Sequence, residues 1–241
     1  MKQASLTQKI SNDLNISIIS AGPEYNLVDP VWAINWFNVK SKWLYDLYNY
    51  MAISHVISVS GSPFFKGRLI RRIEGFDIDE RELLLIVNYP SPNAFLNMVK
   101  SKLFQLKSII RISAVKDFTF GFMSRQDNGD TLQRKDSDYE RNLIYLVHHF
   151  KNNSIKVDAV NIKEKAALFD IFTHFVGTKS HIIGQIKNSN QLKTTPFIMD
   201  GLIILGAFEE SQFQEFLNSP FYQKFIGEKH SNYLGLFSRE L

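Results

Sequence analysis

The sequence predicts an α+β protein of two tandem ferredoxin-like units (βαββαβ), whose antiparallel sheets pack face to face. The first observation is a repeat, because the same order of strand and helix patterns occurs in residues 30–126 and in residues 140–241. The second is that the central strands, residues 83–87 and 202–205, are continuously apolar. Such strands need cover on both faces. Helices supply one cover, and we expect the other sheet to supply the second.

Charge and apolar content divide the chain into segments. Residues 124–142 are densely charged, contain almost no large apolar residue and include Asn128-Gly129, which is a turn signal. Ahead of the first repeat, residues 16–19 are expected either to add a short strand or to pack across an edge. The predicted segments are an N-terminal extension (1–29), a first unit (30–126), a charged linker (127–139) and a second, diverged unit (140–241).

In the first unit, residues 31–39 predict a strand, and a helix follows from residues at the i, i+3, i+4, i+7 spacing, namely Leu44, Leu47, Tyr48 and Met51. Two strands are predicted over residues 68–73 and 82–89. Ser91 and Pro92 are the residue types favoured at the start of a helix. The buried stripe of that helix is Phe95, Met98, Val99 and Leu106, and residues 112–123 close the unit as a strand.

The second unit is predicted to repeat this order. Residues 143–150 form the first strand, and a helix ending at Gly177 carries the stripe Leu168, Ile171, Phe172 and Phe175. Residues 181–186 and 197–208 are the paired strands, and the second helix carries Phe213, Phe216 and Leu217. In the last strand, residues 234–239 (LGLFSR) match residues 120–125 (FGFMSR), which favours a duplication.

Composition excludes several classes of protein. The chain is 44% hydrophobic and has a net charge of +4, which indicates a packed globular protein without a dedicated polyanion-binding surface. It has no cysteine, which excludes disulfides, thiolate zinc sites, iron–sulfur clusters and a cysteine nucleophile. No apolar run is long enough for a membrane span or a signal peptide. We therefore expect a soluble, cytoplasmic protein without membrane partner, cofactor or metal.

Three stretches resemble a known family: residues 34–40 (INWFNVK), Gly67-Arg68, and residues 87–91 (VNYPS). They resemble the functionally uncharacterised proteins of the dimeric α/β-barrel superfamily, and Arg111 looks like the arginine of that family. The resemblance implies an intrachain α/β barrel with a cavity, which relatives use for small hydrophobic ligands, cofactor-free monooxygenation, haem binding or isomerisation. In the second half, residues 207–209 (AFE) and Leu146 replace the polar residues of the pattern. Only the scaffold is expected to be retained there.

The resemblance implies candidate ligand-binding residues, namely Asn35, Trp36, Tyr89 and Arg111, and His149 joins them as a histidine able to face a cavity. The ligand class is a small hydrophobic or aromatic molecule. Packing offers a simpler interpretation, in which the aromatic residues fill the core, Asn35 satisfies backbone groups and Arg111 pairs with a carboxylate. The residues do not choose between these interpretations.

Three functions stay open. The leading hypothesis is a small-ligand-binding barrel that also self-associates as a possible homodimer. The second is a cofactor-independent oxygenase or isomerase, in which Asn35 and Arg111 polarise an oxygen and Trp36 stacks on a ring. The third is an interaction module whose cavity is filled by its own side chains. The volume of the cavity distinguishes them.

Weaker signals favour structural interpretations. His148 and His149 are adjacent in a strand and point to opposite faces, so they cannot share a metal, and no motif supports haem ligation. His55 and His174 fall at predicted helix ends, where imidazolium is favourable. The basic residues of 66–72 alternate between faces, which does not favour nucleic-acid binding, and residues 127–130 are interpreted as a turn and not as a calcium loop.

Overall fold

The computed structural model describes residues 15–20, 29–75, 80–127, 142–151, 157–179, 182–187, 200–228 and 231–240. The strands are β1 (Asn15–Ser20), β2 (Val31–Val39), β3 (Ser62–Glu74), β4 (Leu83–Tyr89), β5 (Val115–Arg125), β6 (Ile144–Lys151), β7 (Phe172–Lys179), β8 (Ile182–Lys187), β9 (Gly201–Ala207) and β10 (Ser231–Arg239). The helices are α1 (Lys42–Ser58), α2 (Pro92–Lys100), α3 (Lys102–Ala114), α4 (Ala159–Ala167), α5 (Glu210–Asn218) and α6 (Pro220–Gly227). The predicted α+β class is confirmed. Across the described ranges, none of the helices has the length and apolarity that a membrane crossing requires.

The strands are antiparallel wherever their register is given. Eight of them form a closed barrel in the order β10-β3-β4-β2-β5-β7-β9-β6, and β1 pairs with β8 as a separate ribbon. The short strand expected over residues 16–19 is therefore confirmed, and its partner is β8. The backbone hydrogen bonds of β1 are therefore made to β8 and not to a strand of the barrel.

The chain divides into two compact units. The first unit comprises Met1–Phe65, Arg81–Met123 and Ser180–Pro196, and the second comprises Lys66–Glu80, Ser124–Lys179 and Phe197–Leu241. The strands β3 and β5 contribute residues to both. The segment boundaries given by sequence stay a prediction, and residues 128–139 of the predicted linker lie outside the described residues.

In the first unit, β2 pairs with β4 on one side and β5 on the other. Alternate residues of β2 pack under the helices: Val31 and Ala33 contact a cluster with Phe95, and Phe37 packs with Tyr45 of α1. The other face holds Trp36 and its neighbours, and Trp36 is fully buried. Both faces of this sheet are therefore buried, as the unbroken apolar strands predicted.

The second helix of this unit is interrupted. Ser91 caps α2 by accepting a hydrogen bond from the Ala94 amide at 3.2 Å, as predicted. Ser101 then adopts an extended conformation and caps α3 through the Phe104 amide, which divides the expected single helix in two. The prediction of a strand beginning at residue 112 is wrong, because α3 continues to Ala114. The segment is apolar enough for either structure, and periodicity alone does not place such a boundary.

In the second unit, β3, β10, β6, β9 and β7 are neighbours in that order. The helices α4, α5 and α6 cover one face. The N-cap of α5 is Glu209, which forms a capping box with Gln212, so its position corresponds to Ser91 in the first unit. Ser219 caps α6 as Ser101 caps α3. Both units therefore use two consecutive short helices at this place.

The helix predicted around Leu168, Ile171, Phe172, Phe175 and Gly177 is wrong. The helix is α4, which ends at Ala167, and Asp170 follows with a φ of 55°. Phe175 and Gly177 lie in β7, and Leu168 is 74% exposed. Phe172 and Phe175 lie three residues apart in this strand, so they also fit the spacing of a helix stripe. For the same reason His174 lies in a strand and not at a helix end, whereas His55 does occupy the last turn of α1.

The pairing predicted for residues 181–186 and 197–208 is also wrong. The partner of β9 is β7, and β8 pairs with β1. His181 and residues 197–199 lie outside the described residues. The helix predicted around residues 168–177 covers part of β7, which left residues 181–186 as the nearest predicted strand to pair with β9.

Candidate functional site

The helix-covered face of the first unit carries two apolar clusters with polar residues at their boundary. One cluster contains Val31, Ala33 and Phe95, and the other contains Phe37 and Tyr45. On β2, Asn35 lies between Ala33 and Phe37 on this same face, because strand residues alternate. Asn35 thus lies at the boundary of the two clusters, and the helices above this face bring Tyr48 of α1 and Arg111 of α3 close enough to interact electrostatically.

Arg111 of α3 holds a half-buried charge. Its guanidinium lies over the Phe118 ring at 4.7 Å from the centroid, and its Nε is shielded from solvent without a hydrogen-bond partner. No carboxylate pairs with it in the part of the chain that the structure describes. Burial lowers the pKa of Arg111, and the nearby Tyr48 acts in the opposite direction. An unpaired buried cation is unfavourable by itself and attracts an anion.

Tyr48 neighbours this cation, and Tyr89 in turn interacts with Tyr48. Burial raises the pKa of Tyr48, which the Arg111 charge partly offsets. Burial also raises the pKa of Tyr89, and Tyr48 adds to that effect. The Tyr89 hydroxyl lies 3.8 Å from the Met98 sulfur, which is a weak acceptor. Both hydroxyls therefore keep their protons near neutral pH and are available as hydrogen-bond donors.

A second cation lies one turn before Arg111. Lys107 Nζ donates to the Met51 carbonyl at 2.8 Å and lies 3.1 Å from His55 Nδ1. Because an ammonium group only donates, His55 Nδ1 accepts this bond and the imidazole proton is on Nε2. Lys107 and Arg111 are four residues apart, so both project from the same side of α3 toward α1. This side of the helix pair is positively charged.

The sequence-predicted residues fall into three places. Asn35, Tyr89 and Arg111 belong to the helix-covered face of the first unit. Trp36 is on the opposite face, where its Nε1 donates to the Arg81 carbonyl at 3.1 Å. His149 belongs to the second unit, near the Tyr233 ring. Asn35, Tyr89 and Arg111 therefore share one face, and Trp36 and His149 lie elsewhere.

Asn35 has backbone partners. Its Nδ2 donates to the carbonyls of Ala33 and Leu85, both at 3.2 Å. Among the described residues no donor reaches its Oδ1. The side chain is therefore fixed in orientation and presents an acceptor, which can serve a ligand hydroxyl.

The second unit has a histidine at the position that Asn35 occupies in the first. Asn35 pairs with Leu85, four residues before the end of β4, and His148 pairs with Ile203, four residues before the end of β9. The sequence pattern predicts Leu146 at this position. The pairing register instead aligns His148, two residues later, with Asn35. His148 and His149 lie on opposite faces, as predicted, since His148 contacts α6.

His148 is enclosed by partners. The Tyr222 hydroxyl lies 2.7 Å from its Nδ1, and the Asn232 Oδ1 lies 2.8 Å from its Nε2. The imidazole therefore donates from Nε2 to Asn232 and accepts at Nδ1 from Tyr222. Around it a continuous apolar cluster includes Phe150 and Phe216. Since both ring nitrogens are engaged, neither is placed to ligate a haem.

The basic residues of 66–72 are neutralised within the second unit. Lys66 and Arg68 both pair with Glu240. Arg71 pairs with Glu210, and Arg72 pairs with Glu80 at 3.4 Å. Each of these cations has a carboxylate partner, which contrasts with Arg111. Within the described ranges, no group of three histidine or acidic residues has the geometry of a metal site.

Two residues of the site were missed as functional residues by the sequence. Tyr48 was assigned to the apolar stripe of α1, and Lys107 was not singled out. The spacing of Lys107 and Arg111 is the signal that could have found this side of α3, because two cations at i and i+4 disfavour a helix unless something compensates them.

Comparisons with known proteins show the fold. No protein-family model and no curated protein matches the chain. Among solved structures, an anthrone oxidase-like protein matches with a TM-score of 0.52 and 8% identity, over 93% of this chain and 94% of that chain. A monooxygenase candidate from Fusobacterium nucleatum matches with a TM-score of 0.49 and 10% identity, over 89% and 94% of the two chains. A mutant chlorite dismutase from Candidatus Nitrospira defluvii matches with 0.46 and 10%, over 87% and 91%. The first match supports the α+β barrel architecture.

Proposed function

We propose that the chain binds a small aromatic or hydrophobic molecule that carries an acidic oxygen, between the sheet and the helices of the first unit. The observation that carries this proposal is Arg111, a half-buried cation whose shielded Nε has no hydrogen-bond partner and which has no carboxylate partner among the described residues. A carboxylate, phenolate or enolate oxygen of a ligand supplies the missing counter-charge.

Other groups on the helix-covered face of the first unit fit the rest of such a ligand. Tyr48 and Tyr89 offer hydroxyl donors, and Asn35 offers an acceptor. The rings of Phe118 and Phe120 stack at 6.5 Å between centroids and give an apolar surface beside the cation. Mostly apolar lining with a few polar groups at fixed positions is the composition of ordinary ligand sites.

Catalysis is the alternative. A cofactor-independent oxygenase or isomerase needs a base that removes a proton from the ligand. In the described part of this face the one histidine is His55, whose Nδ1 already accepts from Lys107. Binding is therefore favoured over proton abstraction. A third alternative, an interaction module with a filled interior, requires that Arg111 be compensated from within the chain.

We also propose that the fold arose by duplication of a ferredoxin-like unit. Its support is the repeated order of strands, helices and caps, together with the same neighbour order in β3-β4-β2-β5 and in β7-β9-β6-β10. In this interpretation the first unit keeps the polar site and the second serves as its structural mate.

The test is the binding of 1-naphthoate compared with the neutral 1-naphthamide, measured by calorimetry and by native mass spectrometry. We expect the acid to bind at least about tenfold more tightly than the amide, because one charge-assisted hydrogen bond contributes roughly 1.5–3 kcal/mol. Arg111→Met abolishes this preference, and Arg111→Lys retains part of it.

Lys224→Met is the matched control, because Lys224 is an exposed cation on α6, the helix of the second unit that corresponds to α3. This variant keeps the preference for the acid. Equal binding of acid and amide by the unaltered protein, or an unchanged preference in Arg111→Met, contradicts the proposal.

A further inference from the structure

Helix α1 is apolar on both of its sides. Tyr45, Ala52 and Val56 are its buried residues and pack on the sheet of the first unit. On the outward side, large apolar side chains follow the helix at spacings of three or four residues: Trp43 (68% exposed), Leu47 (41%), Tyr50 (81%), Ile53 (36%) and Ile57 (62%). We call these five residues the α1 stripe. Large apolar side chains that follow one another on a protein surface mark a place where a partner binds.

The corresponding helix of the second unit has no such stripe. Helix α4 exposes Lys163, Glu164 and Lys165, and Val160 is its one exposed large apolar residue before Leu168. The outward side of α5 exposes Gln214 and Glu215. The apolar outer side therefore belongs to α1 and is not a general property of helices in this fold.

The α1 stripe is large enough for a specific interface. A large side chain presents roughly 150–250 Å² when fully exposed, so these five leave on the order of 600 Å² uncovered. This is the upper end of the apolar patches that monomers expose. Two such surfaces together bury about 1,200 Å², which is the lower bound of stable protein interfaces.

We propose that the α1 stripe binds the same stripe of a second copy of this chain. The stripe is symmetric about Tyr50, since Trp43 and Ile57 each lie seven residues from it. When two α1 helices pack antiparallel across a twofold axis at Tyr50, Trp43 meets Ile57 of the second copy. A twofold interface requires a self-complementary surface of this kind. Trp and Tyr are also the residues that dominate the energetics of interfaces.

The charges of α1 favour a second copy over a membrane surface. Lys42 lies 2.8 Å from Asp46 and is compensated by it, and the other basic residue of the helix is His55. Membrane-bound helices flank their apolar face with several lysines or arginines, which α1 does not have. Because the five stripe residues carry no charge and the neighbouring Asp46 is paired with Lys42, two copies approach without repulsion.

The experiment is a concentration series by analytical ultracentrifugation of the full chain and of two variants. We expect a dimer that Tyr50→Arg dissociates, with a Kd at least about 100-fold higher, because two like charges then meet at the axis. Val160→Arg on α4 is the matched control and keeps the dimer. Far-UV circular dichroism and melting temperature show that both variants are folded.

A second measurement uses the absence of cysteine in the chain. Tyr50→Cys introduces a single thiol, and packed helix axes are about 8–10 Å apart, so a short bismaleimide links two copies. Val160→Cys does not form this link. A monomer at every concentration overturns the proposal, as does a dimer that Tyr50→Arg leaves intact. Slow modification of Tyr50→Cys in a monomer also overturns it, because another segment of the chain then covers the stripe.

Discussion

The two units treat the helix-covered face of the sheet in different ways. In the first unit, Asn35 lies on β2 between residues of two apolar clusters, and the cation Arg111 has no carboxylate partner among the described residues. In the second unit the apolar cluster is continuous, and the one polar side chain at the matching strand position, His148, has both ring nitrogens engaged. A polar group can therefore occupy the same place either as part of a core or as part of a site. The two cases differ in whether hydrogen-bond or ion-pair partners within the chain satisfy the polar group.

The largest expected effect is on His148. We predict that His148→Ala lowers the free energy of unfolding by roughly 3 kcal/mol, because it leaves a cavity and deprives Tyr222 and Asn232 of their partner. Asn35→Ala is the matched change in the first unit, and it costs about 1 kcal/mol because it removes two hydrogen bonds to backbone carbonyls. Urea denaturation measures both values. Equal losses would remove the distinction between the units.

Acid is expected to destabilise the protein through the second unit. Burial, together with the charges of Arg239 and Arg125, lowers the pKa of His174 to about 3. Burial and His148 lower the pKa of His149 as well. The unfolded chain binds these protons below about pH 6.5 while the folded chain does not, so stability falls as the pH decreases from 6.5 toward 3.

For each histidine, the free energy of unfolding falls by up to about 1.4 kcal/mol per pH unit, which amounts to a loss of roughly 2 kcal/mol at pH 5. His174→Gln removes one such dependence, which is measured as a smaller change in unfolding free energy between pH 7.5 and pH 5. The same pH dependence in His174→Gln and in the unaltered protein would show that His174 is protonated in the folded state.

Two glycines at matching positions are expected to differ. A Cβ on Gly235 would lie 2.9 Å from Leu69 Cδ1 and 3.0 Å from the buried Phe237 ring, whereas a Cβ on Gly121 meets nothing within 4 Å. We predict that Gly235→Ala costs roughly 1–2 kcal/mol by overpacking, and that Gly121→Ala changes stability by less than about 0.5 kcal/mol. Thermal unfolding of the pair is the measurement. A loss in Gly121→Ala as large as in Gly235→Ala would mean that both glycines are required by the backbone and not by packing.

Much of the architecture followed from local signals in the sequence. The strand over Val31–Val39 and the serine cap of α2 depend on nearby residues, and both are confirmed. The failure at β7 lies where the strand does not alternate regularly, because Phe172 and Phe175 are three residues apart and fit a helix stripe as well as a strand. Only the tertiary environment chooses between them.

The candidate site was predictable in its residue types and not in its geometry. Asn35 and Arg111 were identified, but Trp36 is adjacent to Asn35 in a strand and necessarily lies on the other face. The prediction placed the site between two sheets, whereas the polar residues gather under the helices. Tyr48 joins them through the packing of α1 on α3, which no local pattern specifies.

The central claim is that Arg111 is held in place for a ligand and not for the stability of the fold. The direct test is the free energy of unfolding of Arg111→Met without ligand, measured in urea. Replacing an unpaired buried cation by an apolar side chain of similar length is predicted to leave stability unchanged or to raise it by up to about 1 kcal/mol. A loss of 2 kcal/mol or more would show that the guanidinium is compensated within the chain and would contradict the account.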